Sequence, residues 1–128
     1  MPGLIRYKRM VVLINNQTQS TAELMAAVIK KYNVGVVVGT PSKGWGTIEK
    51  VFPLTKQIDP PSGEAGQSEK YSIFLVHSLT LREDGQPIEG NGVLPTINIK
   101  DKDWETQLYN YFHYPKLTTV VKQLLNQK

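Results

Sequence analysis

The sequence predicts an α/β fold built on a strand–helix–strand unit, and three observations carry that expectation. Met10-Val11-Val12-Leu13-Ile14 is a short unbroken apolar run, the pattern of a strand covered on both faces, as in a parallel sheet. Ser20 to Tyr32 follows with helical spacing. Val34 to Val38 is a second apolar run, rich in β-branched residues. A chain of 128 residues is long enough to bury a core as one domain.

Each element has its own local reason. Asn15 and Asn16 end the first strand. In the helix, Met25, Val28, Ile29 and Tyr32 fall at i, i+3, i+4 and i+7 and predict the buried face, with Leu24 widening it. Ser20 and Glu23 match the S-x-x-E capping box, and Lys30 and Lys31 sit in the last turn, where cations suit the helix dipole. Gly39 to Gly46 reads as a glycine-bearing turn. Thr47 to Phe52 is a more exposed strand that Pro53 closes. Residues 55 to 69 hold Pro60, Pro61, Gly63 and Gly66 with few apolar side chains and predict a mobile loop.

Tyr71 to Leu81 is a long strand-like run, expected to bend or bulge midway. Asp84-Gly85 and the Ile88 to Val93 segment are turns, and Ile97 to Ile99 is a short strand. Asp101 or Asp103 caps a helix starting near Trp104, with Leu108, Tyr111 and Phe112 on its apolar side. Pro115 breaks it. Leu117 to Leu125 is a last helix with Val120, Val121, Leu124 and Leu125 inward.

Composition narrows the chemistry. The absence of cysteine excludes disulfides, thiolate metal sites and a cysteine nucleophile. No His/Asp/Glu spacing suggests a metal site, and no Gly-rich loop carries the Lys-Ser/Thr of a phosphate cradle, so no cofactor is expected. Net charge is +4, from 15 basic and 11 acidic residues, but only Arg6, Lys8 and Arg9 lie close together. A nucleic-acid binder gathers such charge on one face, so no nucleic-acid partner is expected. No apolar run approaches the ~20 residues that span a bilayer, and no direct membrane contact is expected.

Attention therefore falls on Ser20, a hydroxyl where a buried strand turns into a helix. Its neighbours in order resemble a known family. Val11-Val12-Leu13-Ile14-Asn15, then Ser20 and Glu23, Val38-Gly39, Gly44-x-Gly46, Phe52-Pro53-Leu54 and the Asp84 to Pro95 segment look like carboxy-terminal processing peptidases, also called tail-specific proteases. The resemblance runs from about Arg6 to the C-terminal helices. It implies a partial ClpP/crotonase-like spiral with a βαβ core, additional strands and C-terminal helices. It also implies a serine-type hydrolase that cleaves near protein C-termini, outside the cytoplasm, with Ser20 as nucleophile.

The same resemblance exposes departures. The family's general base is a lysine between the two glycines, and Trp45 stands there instead. An indole N–H only donates, so it cannot take the proton of Ser20. Glu49 occupies the slot of the family's lysine-orienting glutamine, and Lys43, two positions before Trp45, is the substitute base to consider. The family also carries part of its catalytic domain and a PDZ domain upstream of the serine strand. Nothing before Leu4 resembles them, so the chain reads as a single domain forming the C-terminal part of such a catalytic domain, inactive alone. Its expected partners are the missing upstream half, a second copy of itself, and peptide or protein C-termini.

Two roles stay open to several residues. Ser20 is a helix cap and a nucleophile candidate, and Glu23 is first a capping partner. Trp45 either packs over the glycine turn or contacts peptide. His77 reads as a structural histidine and His113 as part of an aromatic patch. The alternative to an enzyme is a peptide-binding module of the same fold that performs no chemistry.

Overall fold

The computed structural model describes residues 9–54 and 71–127. The expected loop at residues 55–69 lies outside them. Among the described residues eight elements follow one another. They are β1 (Val11–Ile14), α1 (Thr21–Lys31), β2 (Val36–Gly39), β3 (Thr47–Pro53), β4 (Ser72–Leu79), β5 (Ile97–Asn98), α2 (Trp104–Phe112) and α3 (Pro115–Leu125). The fold is α/β. A parallel sheet has the order β1-β2-β5, and β3 and β4 form a separate antiparallel hairpin.

The unbroken apolar runs are explained by cover on both faces of the parallel sheet. Val12 and Ile14 with Val37 face α1 and pack with Ala26, Ala27 and Ile29, and with Ile88 and Val93 from the later turn. Val11 and Leu13 with Val36 and Val38 face the other way, onto Leu108 of α2 and Val121 of α3. Successive strand side chains point to opposite faces, so every position of these strands finds a hydrophobic neighbour. The register runs from Val11↔Val36 to Ile14↔Gly39.

The expected buried face of α1 needs correction. Ile29 is buried, but Met25 is 59% exposed, Tyr32 is 67% exposed, and Val28 also faces out. The buried side is Glu23, Ala26, Ala27 and Ile29. Two alanines let the helix axis approach the sheet more closely than a row of large side chains would. The larger stripe of Leu24, Met25, Val28 and Tyr32 is left on the outside.

Smaller differences have local causes. Pro115 does more than end α2: it opens α3 at the first helical turn, where its missing N–H costs nothing. In α3 only Val121 is fully buried, while Val120 and Leu124 are exposed. Tyr111 of α2 is also exposed, its hydroxyl donating to Asn33 Oδ1 at 2.9 Å. The bulge expected within residues 71–81 is present. The hairpin ladder steps from Ile48↔Ser78 to Glu49↔Val76, so His77 is the extra residue. After β4, the Arg82–Asp84 pair closes the turn, and Arg82 holds the Asp84 carboxyl below its usual range. No helix among the described residues is long and apolar enough to cross a membrane.

Candidate active site

Ser20 ends the connection from β1 and precedes the first residue of α1. Its backbone sits at φ 57° and ψ −129°, a left-handed conformation that costs a non-glycine residue on the order of 1–3 kcal/mol. Something must hold it there. The Ser20 N–H donates to Glu23 Oε2 at 2.9 Å and to the Trp45 carbonyl at 3.1 Å. A sharp, strained strand-to-helix turn lifts a serine hydroxyl clear of the backbone, the geometry used to present a nucleophile. Ser20 is exposed.

Glu23 is the centre of this construction. The capping box that its spacing predicts is present. Its carboxylate is completely buried and also receives three further donors from a segment about twenty residues on. Oε1 accepts the Ser42 hydroxyl and the Gly44 N–H, both at 2.6 Å. Oε2 accepts the Trp45 N–H at 2.8 Å as well as that of Ser20. Among the described residues no cation pairs with the carboxylate; four hydrogen bonds and the N-terminal end of α1 balance it. One side chain thus clamps the Ser20 turn to the 42–45 strap. Sequence reasoning assigned only the first of these contacts, because the others cross between separate segments.

The strap is braced in turn by the 88–93 segment. The Val93 N–H donates to Ser42 Oγ at 2.7 Å, the Gly90 N–H to the Gly44 carbonyl at 2.9 Å, and the Gly46 N–H to Glu89 Oε2 at 2.7 Å. Glycine is required where these backbones meet. A Cβ on Gly46 would lie 2.6 Å from the Glu89 nitrogen, and one on Gly92 would lie 2.6 Å from the Ser42 carbonyl oxygen.

A cavity of about 190 Å³ opens beside Ser20, lined by Ser20, Thr21, Leu24, Trp45, Thr47, Ile48 and Thr80. Trp45 is 46% exposed. Its indole N–H donates to Thr47 Oγ1 at 2.9 Å, and Thr47 Oγ1 donates to Glu49 Oε1 at 2.5 Å. Thr47 and Glu49 are alternate residues of β3 and share one face of it, and the indole of Trp45, just before the strand, reaches Thr47. Thr47 was not singled out from sequence, although its place midway between Trp45 and Glu49 was a usable signal.

The candidate base lies elsewhere. Lys43 Nζ donates to Gln19 Oε1 at 2.7 Å and sits 5.1 Å above the Trp45 ring. His77 is on the hairpin bulge, with Nδ1 2.7 Å from Ser78 Oγ, and His113 ends α2 edge-on to Tyr109. Among the described residues, no lysine or histidine nitrogen is hydrogen-bonded to the Ser20 hydroxyl. No group of three or more His, Asp or Glu side chains among them could hold a metal ion. The Thr21 N–H, immediately after Ser20, has no backbone partner among the described residues, and Thr21 lines the cavity.

The chain is similar to several known proteins. The model of peptidase family S41 matches residues 5–99. A carboxy-terminal-processing protease of Bartonella bacilliformis is 28% identical over 93 residues, covering 73% of this chain and 18% of that protein. An uncharacterized protein of Chlamydia muridarum is 33% identical over 120 residues, covering 93% of this chain and 18% of its own length. Among solved structures, the photosystem II D1 C-terminal processing protease matches with a TM-score of 0.54 at 24% identity, over 70% of this chain and 20% of that one. Mature CPAF matches with a TM-score of 0.50 at 29% identity, over 92% of this chain and 21% of that one. The chain spans about a fifth of the length of the relatives it matches.

Proposed function

Because the chain belongs to peptidase family S41, we propose that it is the Ser20-bearing part of the catalytic domain of a serine peptidase acting near protein C-termini, and that it does not cleave peptides by itself. The observation that carries the first half is the strained Ser20 turn, held by Glu23 and opening onto a cavity. The chemistry would be attack of the hydroxyl on a peptide carbonyl, departure of the amine, and hydrolysis of the ester by water. The Thr21 N–H would be one oxyanion donor.

The second half follows from what Ser20 lacks. A serine hydroxyl is a weak nucleophile until a base removes its proton. Trp45 stands in the slot of the family's lysine, and Lys43 is committed to Gln19 and the indole ring. Among the described residues the nearby Ser20 N–H is already given to Glu23 and the Trp45 carbonyl, and losing one oxyanion donor costs about 100–1000-fold in rate. Treatment of the 128-residue chain with a fluorophosphonate probe is therefore expected to leave Ser20 unmodified. Stoichiometric labelling at Ser20 would overturn the inactivity.

A second reading, a peptide-binding module without chemistry, is favoured by the half-exposed Trp45 ring at the cavity mouth. Either way the domain has surface to cover. Met25, Val28 and Tyr32 on α1, and Ile73, Phe74, Leu75 and Val76 on β4, are exposed. Both outer edges of the β3–β4 hairpin are unpaired among the described residues. Two-stranded sheets of this kind gain stability by pairing. Light scattering of the dilute chain is expected to give a dimer or larger mass; a stable monomer would remove self-association. The family also favours a periplasmic or cell-surface location.

A further inference from the structure

The cavity beside Ser20 has a chemical polarity that its shape alone does not reveal. A threonine hydroxyl has one proton to give and two lone pairs. Thr47 gives its proton to Glu49 Oε1 and receives the Trp45 indole N–H. One lone pair remains for a guest, and no proton does. Thr80 is in the same condition, since its hydroxyl donates to the Gly46 carbonyl at 2.9 Å. Both threonines line the cavity. The hairpin side of the cavity therefore presents acceptors only, and Glu49 polarises one of them. Between them lie the apolar surfaces of Leu24, Ile48 and the indole.

The geometry points to a specificity pocket that takes a substrate side chain with an apolar stem and a hydrogen-bond donor at its tip, lysine being the simplest. Its selectivity is set by Glu49 as a positioning residue acting through Thr47. The stem packs on Leu24, Ile48 and Trp45, and the tip donates to Thr47 and Thr80. Lys43 lies over the same indole, 5.1 Å from its centroid, and opposes a cationic guest there; the Glu49 carboxylate, bonded directly to Thr47, offsets that charge on the hairpin side. The inference rests on the reading of this cavity as the peptide site of a serine peptidase domain.

The test is calorimetric titration of the 128-residue chain with acetyl-Ala-Ala-X-Ala-Ala-amide peptides, where X is lysine, norleucine or glutamate. Lysine is expected to bind about tenfold more tightly than norleucine, the difference one charge-assisted hydrogen bond makes, and glutamate more weakly than either. In Glu49→Gln the amide can donate to Thr47 and free its proton to turn into the cavity, so the lysine preference should vanish or reverse. Thr47→Ser should keep the preference and Thr47→Val should lose it. Norleucine or glutamate binding as tightly as lysine, or an unchanged preference in Glu49→Gln, would overturn the inference while leaving peptide binding intact. Failure of all three peptides to bind would overturn the inference together with the reading beneath it.

Discussion

Replacing Glu23 by alanine is expected to cost about 3–5 kcal/mol of stability, enough to leave many domains of this size barely folded. The loss is large because of what remains, not what leaves. Glu23 is fully buried and accepts from Ser20, Ser42, Gly44 and Trp45 at 2.6–2.9 Å. Three of those donors are backbone N–H groups that cannot turn away. A buried donor without a partner costs about 1–3 kcal/mol, and water entering the gap recovers only part of the sum. The Ser20 turn would also lose its restraint, because its N–H would keep only the Trp45 carbonyl. Glu23→Gln should fall between: its amide oxygen serves one pair of donors, and its NH₂ faces the other pair. Urea unfolding should rank wild type above Gln above Ala. An alanine variant within about 0.5 kcal/mol of wild type would show that the clamp is not what holds the strap to the helix.

Gly39→Ala is expected to be at least as severe, at more than about 4 kcal/mol or no soluble protein at all. Gly39 pairs with Ile14 at the ends of two parallel strands and has φ +142°. A Cβ there would lie 1.9 Å from the Ile14 carbonyl oxygen, inside any tolerable contact. That oxygen accepts the Thr40 N–H at 3.1 Å and belongs to buried Ile14, so neither strand can step aside without breaking the sheet. Gly85→Ala separates the steric cost from the conformational one. Gly85 has φ +80° with nothing within 4 Å of the added carbon. Its replacement should cost only the ~1–2 kcal/mol of a left-handed L-residue. Thermal or urea denaturation of both variants makes the comparison, and equal losses at the two sites would refute the steric account.

Much of this molecule could be read before any coordinates were seen, and particular residues show why. Val11 to Ile14 and Val36 to Val38 are apolar at every position, which no strand with one wet face sustains; cover on both sides followed. The S-x-x-E spacing marked where α1 begins. The order of the serine, glycine and turn motifs pointed to the peptidase family that the comparison bears out. That Trp45 stands between Gly44 and Gly46 was equally visible, since it is a matter of residue identity.

The sidedness of the helices was not legible. Periodicity finds an apolar stripe on α1 but cannot say which of two stripes meets the sheet. Alanines won that contest over Met25, Val28 and Tyr32 because small side chains permit the closest approach of helix to strands. Val120 and Leu124 on α3 were misplaced by the same ambiguity. The site shows the limit more sharply. Strand, helix, hydroxyl and the tryptophan between two glycines are local facts, and the sequence by itself determined them. That Glu23 binds the 42–45 strap, that Thr47 joins Trp45 to Glu49, and that Lys43 turns to Gln19 were decided only by tertiary structure. Local spacing encodes the capping contact of Glu23, but a buried carboxylate takes whichever donors the folded backbone brings to it, and those come from parts of the chain that meet only after folding.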